Sequence, residues 1–171
     1  TRYVHNASNH MFFRVDSPNN IGKINLNEVD YDYKLIVISD YDKGFLSESD
    51  IQTICENHDN VFIDSKKILG DWASKAKFIK INDYEYKRSE KFISDELKSK
   101  IIHTMGGDGC KYQNKVYKVN KVDVKDTSGA GDSFLAGLVI EYLKSNDIEK
   151  SIYFANKCAS EVVKHRGVTV I

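Results

Sequence analysis

The chain has 171 residues, and its 25 basic and 25 acidic side chains cancel to a formal net charge of zero. This length corresponds to one domain, and a hydrophobic content of 41% is enough to build a core. The charge balance argues against a protein dedicated to nucleic acids or membrane surfaces, because both need a basic field. The longest aliphatic run, residues 35–38, is far too short to span a bilayer.

The cysteines indicate a reducing compartment. The chain has three widely spaced cysteines, Cys55, Cys110 and Cys158, and no Cys-X-X-Cys pair. Since an odd number cannot all pair with one another, we expect reduced thiols in a cytoplasmic protein. No secretory leader is visible at the start of the sequence. The first residue is Thr1 and not Met, so we expect a processed product, a fragment or a shortened chain.

The predicted elements begin with a hairpin and continue as an alternation of strands and helices. β-type residues at 2–4 and 11–15 predict two strands with a turn at 6–9, followed by a polar connection over 17–30. Further strands are expected at 35–38, 61–63, 78–81, 101–104, 110–112, 115–119 and 168–171. Helices are expected at 47–57, 91–99, from 132 onward, and at 148–165.

This alternation predicts an α/β fold with a mostly parallel sheet and helices on both faces. Ligands of such sheets bind beyond the carboxyl ends of the strands. Asp40, Asp64, Asn82 and Thr104 each stand where a predicted strand ends. We therefore expect these side chains to share one site.

A glycine-rich turn, Asp126-Thr127-Ser128-Gly129-Ala130-Gly131-Asp132, leads into an apolar helical pattern. A turn of small residues that feeds a helix leaves unpaired amides at the positive end of the helix dipole, which is an anion site. Asp132 would stand beside a bound phosphate, where a proton acceptor is useful. The alternative is an ordinary surface turn whose aspartate complements the dipole.

The whole turn resembles the second signature of the PfkB/ribokinase family of carbohydrate kinases, Asp-Thr-X-Gly-Ala-Gly-Asp, with Ser128 in the variable place. The resemblance implies a ribokinase-like fold, ATP and Mg²⁺ as cofactors, and a sugar or sugar phosphate as the acceptor. It implies that Asp132 is the general base. It also implies that the amides of Gly129, Ala130 and Gly131 form an anion hole for the transferring phosphoryl group.

Asn82-Asp83-Tyr84-Glu85 has the Asn-X-X-Glu form that the family uses for the Mg²⁺–water network around the phosphates. The resemblance therefore makes Asn82 and Glu85 metal-site residues, with Asn82 also near the nucleotide. The other interpretation is a helix start, for which the same pattern is well suited.

Thr104, Gly106 and Gly109 match the family's Thr-X-Gly-X-X-Gly segment around the nucleotide. Glycines there let the backbone lie against a flat or charged ligand. A tight turn before a hairpin is the alternative. Asn156, within Ala155-Asn156, matches a pair that lies near adenine in the family, and it is otherwise a core polar group with a hydrogen-bond partner.

Two segments resemble the heptose-7-phosphate kinase domain of lipopolysaccharide biosynthesis. They are residues 39–44, Ser-Asp-Tyr-Asp-Lys-Gly, and residues 64–66, Asp-Ser-Lys, where Ser65 replaces the usual proline. The resemblance makes Asp40, Lys43 and Lys66 candidates for substrate contacts, although lysines near strand ends are often only solvated.

The resemblance covers residues 1–171 as the C-terminal portion of a kinase domain, with residues 1–16 as lid or edge strands. The Gly-Gly segment and the acidic sugar-binding residue of complete family members precede the matched region and are not found. We expect transfer of the γ-phosphate of ATP to a hydroxyl of a sugar or sugar phosphate, with heptose 7-phosphate as the first choice. The alternatives are a non-catalytic nucleotide-binding module and a kinase for another acceptor, such as adenosine or a fructose phosphate. The open edge of the sheet is expected to need cover from a second copy or a missing segment.

Overall fold

The computed structural model describes residues 1–5, 11–15, 22–167 and 169. At the start of the chain, β1 (Arg2–Val4) and β2 (Met11–Arg14) pair antiparallel, which confirms the two predicted strands. The predicted turn at 6–9 lies outside the described residues, and so does the predicted last strand apart from residue 169.

The main sheet contains the strands β3 (Ile36–Asp40), β4 (Val61–Ser65), β5 (Phe78–Asn82), β6 (Ile101–Thr104), β7 (Cys110–Tyr112) and β8 (Lys115–Tyr117). Neighbours in the sheet follow the chain order, with β3 at one edge. The strands from β3 to β6 are parallel, and β7 and β8 add an antiparallel hairpin. The prediction of a mostly parallel sheet is therefore confirmed.

The helices are α1 (Glu48–Asn57), α2 (Asp83–Ser89), α3 (Asp95–Lys100), α4 (Ala130–Ser145) and α5 (Ile148–Val162). Short 3₁₀ turns occur at 26–28, 71–73, 90–92 and 106–108. Ser47 and Asp50 form a reciprocal capping box that begins α1, and the Asp147 side chain caps α5. None of the described helices is long and apolar enough to cross a membrane.

The helix predicted over residues 91–99 is confirmed only for its second part, as α3. Residues 83–92 form α2 and a 3₁₀ turn before it. Two N-caps explain the division: Asn82 starts α2, and the Ser94 hydroxyl accepts from the Leu97 amide to start α3. The last helix ends at Val162 and not at His165, and α4 begins two residues before Asp132.

Two apolar clusters cover the two faces of the sheet. One cluster joins α1 and α3 to one face, with Ile63 and Ile79 among its strand residues. The other joins α4 and α5 to the opposite face through Phe62 and Phe78. Neighbouring strand residues fall in different clusters because side chains alternate between the faces of a strand. This arrangement confirms helices on both faces and leaves the carboxyl ends of β4 to β6 facing the N-terminus of α4.

Candidate active site

A cleft of about 970 Å³ opens where β4, β5 and β6 end. The N-terminus of α4 and one side of α5 complete its wall. Of the four polar side chains expected to share a site, Asp64, Asn82 and Thr104 line this cleft, whereas Asp40 does not. The cleft also includes Ala130, Gly131 and Asp132 from the glycine-rich turn.

The head of α4 presents unpaired amides to the cleft. Gly129 is the N-cap in the left-handed conformation (φ 81°), which favours glycine. The Ala130 amide donates to the Thr127 carbonyl oxygen over 3.2 Å. The amides of Gly131 and Asp132 donate to no group in the part of the chain that the structure describes. Two free donors therefore remain at the positive end of a 16-residue helix.

Lys80 places a cation beside these amides. It is a buried residue of β5, and a Cβ added at Gly131 would lie 3.1 Å from its Nζ. The same Nζ lies 2.6 Å from Asp64 Oδ2. Sequence reasoning missed Lys80, although a lysine within an otherwise apolar strand, covered on both faces, is the signal that would have identified it.

Asp64 joins two cations and keeps one oxygen unused. Its Oδ1 is buried, makes no hydrogen bond, and lies 3.7 Å from Lys66 Nζ. Lys66 donates to Glu85. Burial alone would lower the pKa of Lys66, but its hydrogen bond to Glu85 and the charges of Asp64 and Glu85 outweigh burial and raise that pKa. Lys66 is therefore a cation at neutral pH.

Asn82 and Glu85 form the capping box that starts α2. Asn82 Oδ1 accepts from the Glu85 amide over 3.0 Å, and Glu85 Oε2 accepts from the Asn82 amide over 2.8 Å. Glu85 Oε1 accepts from Asn82 Nδ2 and from Lys66. The helix-start interpretation of the Asn-X-X-Glu pattern is therefore confirmed, and both carboxylate oxygens of Glu85 are engaged within the protein.

The described residues contain no group of three or more His, Cys, Asp or Glu side chains that could hold a metal ion. Mg²⁺ usually keeps several waters and binds through one or two carboxylates together with substrate phosphates. The unused Oδ1 of Asp64 is a hard, buried oxygen in the wall of the cleft, and it fits that mode of binding.

Asp132 lies at the mouth of the cleft in the first turn of α4. Tyr41, on the loop after β3, donates from its hydroxyl to Asp132 Oδ1 over 3.1 Å. The sequence contains no local signal for this contact, since 91 positions separate the two residues.

Two of the three predicted substrate residues lie away from the cleft. Asp40 is buried and accepts from the Ser65 hydroxyl over 2.8 Å. Lys43 is exposed and is not part of the cleft wall. Lys66 is the one that lines the cleft.

The predicted nucleotide residues gather on the α5 side of the cleft. Thr104, Gly106, Gly109 and Asn156 all line it. Gly109 has φ 87°, and a Cβ there would lie 2.1 Å from the Tyr117 carbonyl oxygen. Asn156 is buried and donates from Nδ2 to that same oxygen over 3.0 Å. Both residues therefore hold the end of β8 in place, in addition to facing the cleft.

Part of the cleft wall is apolar. Its lining side chains are Val119, Val122, Val124, Phe134, Ala159 and Val163. Together with the glycine-rich backbone at 106–109, they form a surface suited to a flat aromatic ligand.

Several known proteins have sequences similar to this chain. A probable chloroplastic fructokinase-6 of Arabidopsis thaliana is 32% identical over 126 residues, which cover 60% of this chain and 32% of the relative. The bifunctional protein HldE of Nitratiruptor sp. is 30% identical over 154 residues, which cover 80% of this chain and 33% of the relative. The chain thus spans about a third of the length of these curated relatives.

Solved structures show the same fold. Ribokinase of Thermotoga maritima superposes with a TM-score of 0.67 at 16% identity, covering 84% of this chain and 56% of that one. The nucleoside kinase of Methanocaldococcus jannaschii gives a TM-score of 0.62 at 21% identity, covering 83% and 54% of the two chains. The fold is therefore ribokinase-like. The model of the pfkB family carbohydrate kinases matches residues 26–171, and the chain belongs to this family.

Proposed function

We propose that the chain carries the nucleotide side and the base of an ATP-dependent phosphotransferase that acts on a hydroxyl of a sugar or sugar phosphate. One observation supports this most strongly. The free amides of Gly131 and Asp132, the Lys80 ammonium and the Asp132 carboxylate meet at one end of a single cleft. Such a site can bind a transferring phosphoryl group and accept a proton within the same few ångströms.

In this proposal the terminal phosphate of ATP lies at the head of α4. The two amides and Lys80 stabilise the negative charge that spreads over the phosphoryl oxygens during transfer. Asp132 takes the proton of the acceptor hydroxyl as its oxygen attacks the phosphorus. General-base assistance of this kind contributes roughly 10²–10⁴-fold to the rate.

Adenine would lie against the apolar wall between the glycine-rich backbone and α5. Thr104, Gly106, Gly109 and Asn156 line that side of the cleft. Thr104 donates to the Ile81 carbonyl oxygen of β5, and Asn156 donates to the Tyr117 carbonyl oxygen of β8. In the predicted contact, the nucleotide would meet the part of the Asn156 side-chain amide that does not bond to the Tyr117 carbonyl oxygen.

Mg²⁺ would enter on the phosphates and would be held by Asp64 Oδ1, directly or through water. When bound, it neutralises phosphate charge and orients the phosphates. Glu85 already accepts hydrogen bonds from Asn82 and Lys66. The predicted metal residues Asn82 and Glu85 would therefore contact the ion through water and not directly.

For the acceptor we propose a heptose 7-phosphate. The support is the resemblance of residues 39–44 and 64–66 to heptose kinases, together with the similarity to HldE over 80% of the chain. Lys66 is a cation in the cleft near Asp64, where it could meet a phosphate on the acceptor. Asp40 and Lys43 stay predictions for the acceptor side.

The edge strand β3 offers a place where another strand could join the sheet. Val37 of β3 is 43% exposed, and among the strands that the structure describes β3 has a sheet neighbour on one side only. We propose that a second copy or a further segment of the polypeptide pairs with this edge. Sedimentation velocity distinguishes the two, because only the first predicts a concentration-dependent dimer. We further propose a cytoplasmic location, consistent with the three free cysteines among the described residues.

ATP consumption measured against a panel of acceptors tests the function. The panel includes heptose 7-phosphate, fructose, ribose, fructose 6-phosphate and adenosine. The assay uses this chain and, where the gene encodes residues before Thr1, the longer polypeptide. We expect turnover that depends on one sugar or sugar phosphate. Nucleotide binding without acceptor-dependent turnover in either protein would contradict the kinase and support a nucleotide-binding module.

A further inference from the structure

One tyrosine contacts the proposed base directly. The Tyr41 hydroxyl donates to Asp132 Oδ1, and no group in the described part of the chain donates to Oδ2. We propose that Tyr41 is a positioning residue, which holds one oxygen of the Asp132 carboxylate and leaves the other for the acceptor hydroxyl. The inference rests on the proposed function and adds to it a residue that stands 91 positions earlier in the sequence.

The loop that carries Tyr41 is fixed on both sides of that residue. Asp40 Oδ1 accepts from the Asp42 amide over 3.0 Å, which closes a tight turn around Tyr41. Asp42 stands in the left-handed region with φ 54°. Lys67 then pairs with Asp42 and lies 3.4 Å from Asp40 Oδ2. The turn is therefore held by charges at both of its ends.

The other contacts of this turn tie it to the neighbouring strand β4. Asp40 Oδ2 accepts from the Ser65 hydroxyl, and Ser65 Oγ accepts from the Lys67 amide over 3.1 Å. The Asp40 carbonyl oxygen accepts from the Lys66 amide over 3.0 Å. Asp40, Ser65 and Lys67 are all at least 90% buried.

A buried ionic cluster costs desolvation energy, and what it supplies in return is a defined geometry. This cluster lies outside the cleft wall, while the residue that it fixes reaches into the cleft. Tyr41 is thus not a freely rotating surface side chain, although 54% of it is exposed. Its position relative to Asp132 is set by the packing of β3 on β4.

The surroundings of Tyr41 keep it a donor. Burial, then the charge of Asp132 and the hydrogen bond to it, raise the pKa of Tyr41, with a smaller contribution from Asp64. Lys66, whose Nζ lies 5.9 Å from the centre of the tyrosine ring, acts in the opposite direction. The hydroxyl therefore keeps its proton throughout the neutral range, where it remains a hydrogen-bond donor to Asp132.

A titration of ¹³Cζ-labelled tyrosine by NMR tests the contact without any need for activity. The Tyr41→Phe variant assigns the resonance. We expect the Tyr41 signal to titrate at lower pH in Asp132→Asn than in the unchanged protein, because the variant removes the negative charge that opposes ionisation. An unchanged titration would overturn the inference, whether or not the protein is a kinase.

Kinetics test the positioning role where turnover is found. Misplacement of a catalytic group by about 1 Å can cost about 100-fold. We therefore expect Tyr41→Phe to lower kcat about 10- to 100-fold, with unchanged nucleotide affinity and unchanged thermal midpoint. Ser65→Ala, which loosens the turn without touching Tyr41, should lower kcat by a smaller factor.

Tyr33→Phe is the matched control, since Tyr33 is 64% exposed and lies outside the cleft. An unchanged kcat in Tyr41→Phe would overturn the positioning role. So would a fall in kcat that is matched by an equal loss of nucleotide affinity, because that pattern indicates a merely structural effect.

Discussion

Gly109 shows how a single residue can serve the fold and the cleft at once. Its φ of 87° lies in the region that side chains disfavour, and the space for a Cβ is taken by the Tyr117 carbonyl oxygen. The Asn156 amide donates to the same oxygen. A motif glycine that lines the cleft thus also leaves room for the Tyr117 carbonyl oxygen, through which α5 binds the β7–β8 hairpin.

Gly109→Ala should therefore destabilise the protein by at least about 2 kcal/mol, because it adds both backbone strain and a clash with main chain. Urea denaturation measures the change. Gly107→Ala is the control, since a Cβ there meets no atom within 4 Å and the backbone is not left-handed. Equal stability of the two variants would contradict this account of Gly109.

Lys80 and Asp64 form a buried ion pair in the wall of the cleft. Removing either side chain leaves the charge of the other one buried without its partner. Lys80→Met should destabilise the protein by about 3–5 kcal/mol, because it leaves the Asp64 carboxylate buried without its closest cation. It should also weaken nucleotide binding by removing the charge beside the head of α4.

The double variant Lys80→Met/Asp64→Leu separates these two effects. It should recover most of the lost stability, because neither charge of the pair remains, while binding of a nucleotide without Mg²⁺ stays weak. Denaturation and calorimetric titration with a nucleotide measure the two quantities. Nucleotide affinity that recovers together with stability would show that Lys80 has no role in binding phosphate.

At the scale of elements, the strands were the most predictable part. Residues 61–63, 78–81 and 101–104 are short apolar runs that stop at polar residues, and the observed strands β4, β5 and β6 extend them by two residues at most. Continuous apolar runs indicate strands covered on both faces, so sequence and structure agree here.

The region from 82 to 100 was the least predictable, because capping competes there with periodicity. Asn82 and Ser94 each cap a helix start, so one helix begins at Asp83 and the helix predicted from residue 91 begins only at Asp95. Tyr41 was missed for another reason. Its contact with Asp132 depends on how β3 stands relative to α4, and no local sequence pattern specifies that.

Asn82→Ala tests the importance of the cap on α2. The variant removes the acceptor for the Glu85 amide and a donor to the Glu85 carboxylate, so we expect a loss of about 1–2 kcal/mol. Asn82→Ser, which can still cap the helix, should keep most of the stability. A thermal or urea denaturation series compares them, and equal losses in both variants would contradict a capping role.

At the scale of the whole molecule, the parallel sheet is what brings the site together. Four parallel strands end at the same side of the sheet. The segment from 118 to 129 connects β8 to α4, whose N-terminus lies next to these strand ends. Lys80 stands about 50 residues before Gly131 and Asp132 in the sequence, and the fold brings it next to their amides. A ribokinase-like sheet thus explains why a seven-residue signature identifies the site but does not describe all of it.

Phosphoryl transfer by Asp132→Asn tests the central claim most directly. The asparagine has nearly the same shape but cannot accept the proton, so turnover should fall by about 10²–10⁴-fold while nucleotide affinity stays unchanged. Asp59→Asn, at an exposed aspartate outside the cleft, is the matched control and should retain full turnover. Full turnover in Asp132→Asn, measured on the longest polypeptide that the gene encodes, would contradict the assignment of Asp132 as the base.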